Sequence, residues 1–263
     1  MTKNTIAHRN VGFSVFYRKF RKIFPKVLRP WFEQNVLFPV TKEKFNFYMS
    51  LGENCLSART LKEMNLRKFS GPFDWIAKNG FSDRVEQIKS NFKNALNYED
   101  LQYDTDTHPD HNTCLVKNLK TGFCYPHDFI DDSKEEFLKQ AQKYRRRQDR
   151  IYLLAKEKDG LFIYGDIASE LLYSEYDEKK LLEFFEGMQR LQQKLEMRTI
   201  SMILVVKGNQ GQKVDFLDHY SKDGMNLFVQ PVPYFKNEPA DSLFDLHSIY
   251  IKRALTLATQ ISP

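Results

Sequence analysis

Hydrophobic and polar positions follow two alternating patterns after residue 44. Short continuous apolar runs, typical of buried strands, occupy residues 45–51, 161–166, 200–206 and 225–232. Apolar residues at helical spacing predict helices over residues 55–66, 82–96, 133–157, 177–196 and 241–259. We expect Ser133 and Asp177 to cap the third and the fourth of these helices. Residues 97–126 are polar, and we expect them to be rich in loops. Because strands and helices alternate, the sequence predicts an α/β domain whose mostly parallel central sheet is flanked by helices.

The first 44 residues have a different character. Residues 1–32 hold eight Lys or Arg and no acidic residue, with aromatic side chains interspersed. We therefore divide the chain into a basic, aromatic, helical N-terminal appendage (1–44) and a single α/β domain of catalytic type (45–263). One interpretation is an interfacial helix that brings residues 1–40 to an anionic membrane surface. The alternative is a helix that packs on the domain and leaves its Lys and Arg side chains in solvent.

Composition and charge limit the partners and the cellular location that we expect for the protein. The 263 residues carry a net charge of +6, but the body of the domain is nearly neutral and holds no known nucleic-acid motif. We therefore expect no nucleic-acid partner. Three cysteines at irregular spacing do not indicate a disulfide framework. The sequence shows neither the apolar centre of a signal peptide nor a membrane-spanning run, so we expect a cytoplasmic protein and leave peripheral contact with the inner membrane open.

Cys55 is the candidate nucleophile. The apolar run that ends at Gly52 continues through Glu53 and Asn54 to Cys55, and helical spacing begins directly afterwards. Unpaired N–H groups and the partial positive charge at a helix N-terminus favour the thiolate, which is the reactive form of cysteine. We therefore expect a lowered pKa for the Cys55 thiol, and a turn over residues 52–54 that contacts substrate. The alternative is a small, inert core residue.

A thiol nucleophile needs a group that accepts its proton. His127, which we expect in a loop before a helix, is the best placed of six histidines, with a structural histidine as the alternative. Its neighbour Asp128 cannot easily orient the adjacent ring, and we place it among the binding residues. Asp166 ends a predicted strand, at the sheet edge where ligands gather and where Cys55 would also lie. The alternative for Asp166 is a turn cap.

Three arginines on the predicted helix 133–157 form a candidate anion site. Arg146 and Arg150 share a helix face, as do Arg147 and Arg150, and two neighbouring guanidinium groups suit a phosphate or carboxylate. The alternative is a solvated helix face that pairs with nearby acidic residues.

The segment Pro-Phe-Asp-Trp holds another candidate carboxylate. Phe73 and Trp75 are expected to be buried, with Asp74 fixed between them and Trp75 beside the substrate. Asp74 is then a candidate base, or a partner for one of the arginines. The alternative is an aromatic corner that serves packing alone.

A zinc site is an alternative to these assignments. Side chains of the types that bind tetrahedral zinc occur at His108, His111, Cys114, Cys124 and His127. Their spacing matches no zinc module known to us, and two prolines interrupt it. We therefore expect neither a metal ion nor another cofactor.

The ordered motifs SLGENC, SGPFDWI and HDF, followed by a Tyr-Arg-Arg helix and an aliphatic strand, resemble a bacterial domain family labelled putative papain-like cysteine peptidase. The similarity covers about residues 45–210. The resemblance implies that Cys55 is the nucleophile and His127 the base. Family members often occur among genes for capsule or other surface polysaccharides, which implies a role in glycoconjugate assembly. Unlike papain, the chain offers no clear oxyanion donor other than Asn54, and its strands alternate with helices.

Three functional hypotheses follow. The first is a cysteine-nucleophile hydrolase or acyl transferase that acts on a glycan, glycolipid or peptide. The second is a transferase of capsule assembly that binds a phosphate-bearing donor at residues 52–55, with the arginines neutralising its charge and no thiol nucleophile. The third is a non-catalytic assembly factor that uses the basic N-terminus.

Overall fold

The computed structural model describes residues 1–7, 25, 28–52, 55–107, 113–166, 171–209, 216–233 and 240–261. The strands are β1 (Thr2–Ala7), β2 (Phe47–Gly52), β3 (Leu101–Thr107), β4 (Cys114–Asn118), β5 (Cys124–Phe129), β6 (Asp159–Asp166), β7 (Thr199–Lys207), β8 (Phe216–Lys222) and β9 (Met225–Val232). The α-helices are α1 (Arg29–Phe32), α2 (Leu56–Glu63), α3 (Phe81–Lys89), α4 (Lys134–Ala155), α5 (Glu178–Leu195) and α6 (Ala240–Gln260). A π-helix, Glu33–Leu37, continues α1.

Six strands form the main sheet, in the order β1-β8-β9-β7-β6-β2. The four strands expected from apolar runs are β2, β6, β7 and β9, and all three pairings among them are parallel. The expectation of an α/β fold with a mostly parallel sheet is therefore confirmed. The sheet is nevertheless mixed, because β8 runs antiparallel to β9 and β1 runs antiparallel to β8.

The sequence pattern did not predict the antiparallel strands β1 and β8, because polar side chains interrupt them. β1 reads TKNTIA and β8 reads FLDHYSK, so neither is a continuous apolar run. The carboxylate of Asp218 on β8 joins them, since it accepts a hydrogen bond from Thr5 and pairs with Lys3 at 2.9 Å. An edge strand buries only part of its surface, which leaves room for such polar pairs.

Residues 97–126, expected to be mostly loop, contain much of a second sheet. Here β3, β4 and β5 pair antiparallel in sequence order. The expectation was wrong because half-buried antiparallel strands alternate buried and exposed positions instead of forming an apolar run. β4 shows this alternation directly, with Cys114, Val116 and Asn118 buried and the two residues between them exposed.

The expected helix caps are confirmed. Ser133 Oγ accepts a hydrogen bond from the Glu136 N–H at the start of α4, and Asp177 accepts one from the Lys180 N–H at the start of α5. The helix expected over residues 82–96 is shorter, because α3 ends at Lys89. Asn91 and Phe92 both have positive φ, a backbone conformation that cannot continue a right-handed helix.

Two apolar layers cover the main sheet. Side chains of α3, α4 and α5 pack on one face, against Met202 and Leu204 of β7. Side chains of α2 and α6 pack on the other, against Ile203 and Val205. Successive strand residues point to opposite faces, which is why one continuous apolar run serves both layers.

Parts of the N-terminal segment pack into the domain. β1 belongs to the main sheet, and Phe38 is 1% exposed. The buried Lys252 of α6 pairs with Glu33 of the π-helix and with Glu63 of α2, both at 2.8 Å. Residues 8–24 and 26–27, which carry most of the expected basic helix, lie outside the described residues. The division at residue 44 stays a prediction. Among the helices that the structure describes, none is long and apolar enough to cross a membrane.

Candidate functional site

Gly52, the last residue of β2, packs against the segment that carries Phe73. Its φ of +84° lies in the left-handed region, and a Cβ atom here would stand 2.6 Å from the Phe73 carbonyl oxygen. Glycine is the residue that takes this conformation and permits this approach. Gly52, three residues before Cys55, is therefore in direct contact with the Pro-Phe-Asp-Trp corner. Glu53 and Asn54, expected to contact substrate, lie outside the described residues.

The guanidinium of Arg84 on α3 contacts both the end of β2 and the Phe73 ring of the corner. It is fully buried and donates hydrogen bonds to the carbonyl oxygens of Leu51, Lys78, Asn79 and Gly80. The ring centroids of Phe73, Phe123 and Tyr164 lie 5.5 to 5.9 Å from its Cζ atom. Arg84 was not recognised from the sequence, although it shares a helix face with Phe81 and Ile88, both buried.

Cys55 occupies the N-cap position of α2 and is partly exposed, as the spacing predicted. Its side chain makes no capping hydrogen bond. The expectation of a lowered pKa is wrong for this structure, because burial raises the pKa of the Cys55 thiol. The thiol's own backbone N–H and the nearby Arg59 act in the opposite direction and are outweighed. The thiol is therefore protonated at neutral pH unless a base removes its proton.

Asp74 is buried in the corner as an ion-pair partner. Its Oδ2 atom accepts hydrogen bonds from Arg67 Nη1 at 2.7 Å and from the Gly71 N–H at 3.0 Å. Burial raises the pKa of Asp74 to about 6, although Arg67 and, more weakly, Arg147 oppose the shift. The expected pairing with an arginine occurs, but the hydrogen-bonded partner is Arg67, which the sequence analysis did not single out. These contacts favour the structural interpretation of Asp74 over a role as base.

His127 lies within β5, not in a loop before a helix as expected. Its ring stands edge-on to the indole of Trp75, with 6.2 Å between the ring centroids. Two residues, Ala77 and Cys124, form an antiparallel bridge that joins the corner to the start of β5. The corner therefore contacts both Gly52, three residues before Cys55, and His127.

Asp128 turns away from the position expected of a binding residue. Neighbouring strand residues point to opposite faces, so its carboxylate and the His127 ring diverge. Asp128 accepts hydrogen bonds from Lys143, at 2.6 Å, and from the buried Tyr144 hydroxyl, both on α4. Arg147 Nη1 lies 3.7 Å from the same carboxylate. With these partners Asp128 fastens β5 to α4 and is not open to a ligand.

The three arginines of α4 do not form the expected anion site, because they point to different surroundings. Arg147 is buried between Asp128 and Asp74, and its guanidinium lies 5.1 Å from the Tyr144 ring centroid. Arg150 donates a hydrogen bond to the Ser70 carbonyl oxygen and covers the Phe69 ring. Arg146 is exposed. Arg147 and Arg150 thus support the corner from the side of α4.

Asp166 ends β6 at the carboxyl edge of the parallel strands, as expected. β6 pairs with β2, and Gly52 stands opposite Tyr164, so Asp166 and the end of β2 share this edge. Its carboxylate accepts a hydrogen bond from the Tyr176 hydroxyl.

The two cysteines of the candidate zinc site do not lie together in the β4–β5 ladder. Cys114 stands opposite Phe129 in the β4–β5 ladder, whereas Cys124 stands opposite Lys117, several residues away. Both thiols are buried, and that of Cys114 donates to the Ile130 carbonyl oxygen. His108 and His111 lie outside the described residues, and within those residues no group of three or more His, Cys, Asp or Glu side chains could hold a metal ion.

Comparison with known proteins agrees with these motifs. A curated relative from Acanthamoeba polyphaga mimivirus, called an uncharacterized protein, is 26% identical over 192 residues, which cover 66% of this chain and 83% of the relative. No solved structure matches. A family model described as "Putative papain-like cysteine peptidase (DUF1796)" matches residues 46–221, a range that includes Cys55, Asp74, His127 and Asp166. Because this match spans more than half of the sequence, the chain belongs to that family, as the resemblance of its motifs implied.

Proposed function

We propose that this protein is a cysteine-dependent hydrolase or acyl transferase in which Cys55 is the nucleophile and His127 the general base. One observation carries the proposal: the Pro-Phe-Asp-Trp corner contacts both motifs. Gly52, three residues before Cys55, packs on the Phe73 carbonyl, and Trp75 packs on the His127 ring. The family description supports the same class of enzyme.

Because burial raises the pKa of the Cys55 thiol, the proposed reaction needs a base to remove the thiol proton. His127 accepts the thiol proton as the sulfur bonds to the acyl carbon of the substrate. The bond to the leaving amine or alcohol then breaks, and the leaving group takes that proton. Water, or a second acceptor in a transferase, cleaves the thioester and restores the thiol. The N–H groups of Ser57 and Ala58, in the first turn of α2, are the donors that we assign to the oxyanion.

Asp166 is the better candidate to orient the base. It lies at the carboxyl edge beside the end of β2, whereas the Oδ2 atom of Asp74 accepts hydrogen bonds from Arg67 and Gly71. Peptides, glycans and glycolipids that carry acyl groups are the substrate classes that we propose, and a place in surface-glycan assembly rests on the resemblance of the motifs alone.

Alkylation of Cys55 tests whether His127 removes the proton of the Cys55 thiol. Iodoacetamide would be applied to the intact protein across pH 5 to about 10, and each cysteine-containing peptide quantified by mass spectrometry. We expect Cys55 to react much faster than Cys114 and Cys124, which are 7% and 2% exposed. In His127→Ala, the rise of the Cys55 rate should move to higher pH, because the thiol loses its proton acceptor.

His219→Gln is the matched control, since His219 lies on β8, which is not hydrogen-bonded to β2 or β5. Its pH profile for Cys55 should equal that of the wild type. Identical profiles in wild type and His127→Ala would overturn the assignment of the base. Hydrolysis of 4-nitrophenyl acetate, with a trapped acyl group on Cys55, would establish turnover, and Cys55→Ala should abolish it.

A phosphate-binding transferase is the second candidate, and one observation favours it. The Cys55 side chain does not cap the first turn of α2, and the N–H groups at a helix N-terminus bind anionic donors as well as an oxyanion. Cys55→Ser separates the two proposals. A thiol mechanism loses nearly all activity in this variant, whereas a binding site made of backbone N–H groups keeps its affinity for inorganic phosphate.

A further inference from the structure

Three large apolar side chains are exposed close together in the sequence, within residues 28–36, where the basic N-terminal sequence ends. Leu28 is 55% exposed, Trp31 62% and Val36 50%. Among the exposed large hydrophobic residues in the described ranges, Trp31 has the largest exposed fraction. Leu28 directly precedes α1, and its carbonyl oxygen accepts a hydrogen bond from the Phe32 N–H, so it starts the same helical stretch. Trp31 follows three residues later in α1 and Val36 five residues after that in the π-helix, and both steps keep side chains near one face of a helix. We call Leu28, Trp31 and Val36 the N-terminal apolar face.

The opposite side of the same helical segment is fastened to the domain. Glu33 is buried and pairs with Lys252 of α6 at 2.8 Å. Gln34 donates a hydrogen bond of 2.6 Å to the Glu63 carbonyl oxygen at the end of α2. Phe38, directly after the π-helix, is buried. The N-terminal apolar face is therefore held outward on a segment whose other side is anchored by polar contacts and packing.

The charge of the adjoining sequence selects the partner. Residues 1–32 carry eight Lys or Arg and no acidic residue, and a sequence with this charge favours an anionic surface. Tryptophan with aliphatic neighbours and abundant basic residues is the composition of helices that lie in the headgroup region of a bilayer. Grouped, exposed apolar side chains of this kind mark contact surfaces.

We propose that the N-terminal apolar face docks the protein on an anionic lipid bilayer, with Trp31 inserted at the level of the headgroups. The contact is peripheral and separate from the thiol chemistry proposed for Cys55. It requires no rearrangement of the domain, because the three side chains are already exposed.

Tryptophan fluorescence can test the proposal, since the chain has two tryptophans, Trp31 and Trp75. The Trp75→Phe variant leaves Trp31 as the only reporter. Vesicles of phosphatidylcholine with about 30% phosphatidylglycerol should shift its emission to shorter wavelength and pellet the protein. Lipids brominated on the acyl chain should quench the emission. Pure phosphatidylcholine vesicles, or about 0.5 M salt, should largely abolish these effects, because the attraction is electrostatic.

Trp31→Ser in the wild-type background should weaken pelleting with the anionic vesicles by about tenfold. Leu153→Ser is the matched control, because Leu153 is a similarly exposed residue on α4, at 58%, and its loss should leave pelleting unchanged. Equal pelleting of wild type and Trp31→Ser would overturn the proposal. An emission shift that depends on protein concentration without vesicles would also overturn it, and would indicate a contact between copies of the chain.

Discussion

At the residue scale, charged side chains that are buried hold the candidate site together. Arg84, Asp74 and Arg147 are all buried. Arg84 donates a hydrogen bond to the Leu51 carbonyl oxygen at the end of β2, Asp74 belongs to the corner, and the charge of Arg147 acts on the Asp74 carboxylate. Buried charges are unfavourable unless they are paired or hydrogen-bonded, so each of these positions depends on the geometry of its partners. Gly52 carries no charge, but its position also depends on its surroundings. Its backbone has positive φ, and the Phe73 carbonyl oxygen leaves no room for a Cβ atom.

The Gly52→Ala substitution tests that close contact. We expect it to lower the free energy of unfolding by about 2–4 kcal/mol, because positive φ disfavours alanine and the new methyl group would overlap the Phe73 carbonyl oxygen. Urea denaturation measures the change. Gly224→Ala is the control, because its φ is +77° but nothing lies within 4 Å of the added Cβ. Its loss should be about 1 kcal/mol, and equal losses at the two glycines would contradict the steric account.

At the scale of elements, α4 connects the small antiparallel sheet to the corner. It holds β5 through Asp128, and it supports residues 69–74 through Arg147 and Arg150. The element that carries His127 and the element that carries Asp74 are thus fastened to the same helix. A long charged helix was expected here, but the direction of each arginine depends on what stands opposite it in the folded chain.

Removing the Asp128 carboxylate should loosen this connection. We expect Asp128→Ala to lower the free energy of unfolding by about 3–5 kcal/mol, because it leaves the buried Arg147 without its nearest carboxylate. The milder Tyr144→Phe should lower it by about 1 kcal/mol through the loss of one hydrogen bond. Urea denaturation again provides the measurement. Asp132→Ala, an exposed position four residues further on, should change the value by less than about 0.5 kcal/mol. Similar losses at positions 128 and 132 would rule out the connection.

At the scale of the whole molecule, buried ionisable groups make stability depend on pH. The pKa of Asp74 is about 6 in the folded protein, above the value of about 3.9 typical of an unfolded chain. The folded state therefore binds the Asp74 proton more tightly. Its contribution to stability is largest below about pH 4 and is lost as the pH rises to about 6.

Comparison of the wild type with Asp74→Asn isolates this contribution. Between about pH 4 and 6, the free energy of unfolding of the wild type should fall relative to the variant, by up to about 3 kcal/mol. Asp218→Asn should show the opposite sign, because hydrogen bonds and Lys3 lower the pKa of Asp218, and the stability it contributes is lost as the pH falls. Urea denaturation at several pH values measures both differences. Parallel curves for wild type and Asp74→Asn would contradict the raised pKa.

Local pattern was sufficient for much of the fold and for part of the site. The apolar runs of β2, β6, β7 and β9, the caps at Ser133 and Asp177, and the helix start at Cys55 are properties of neighbouring residues, and the structure confirms them. The polar strands β1 and β8 and the alternating strand β4 were not recognised, because their identity depends on a partner strand that is distant in sequence.

The sequence by itself determined the parallel strands, the helices that flank them, the family of the chain and the position of Cys55 at a helix start. Periodicity and capping act over a few residues, and the folded protein keeps them. Only the tertiary structure decided that Arg84 lies inside, that Asp74 pairs with Arg67, that Asp128 turns to α4 and that burial raises the pKa of Cys55. These outcomes depend on which distant carbonyl groups, charges and rings surround each side chain once the strands have paired.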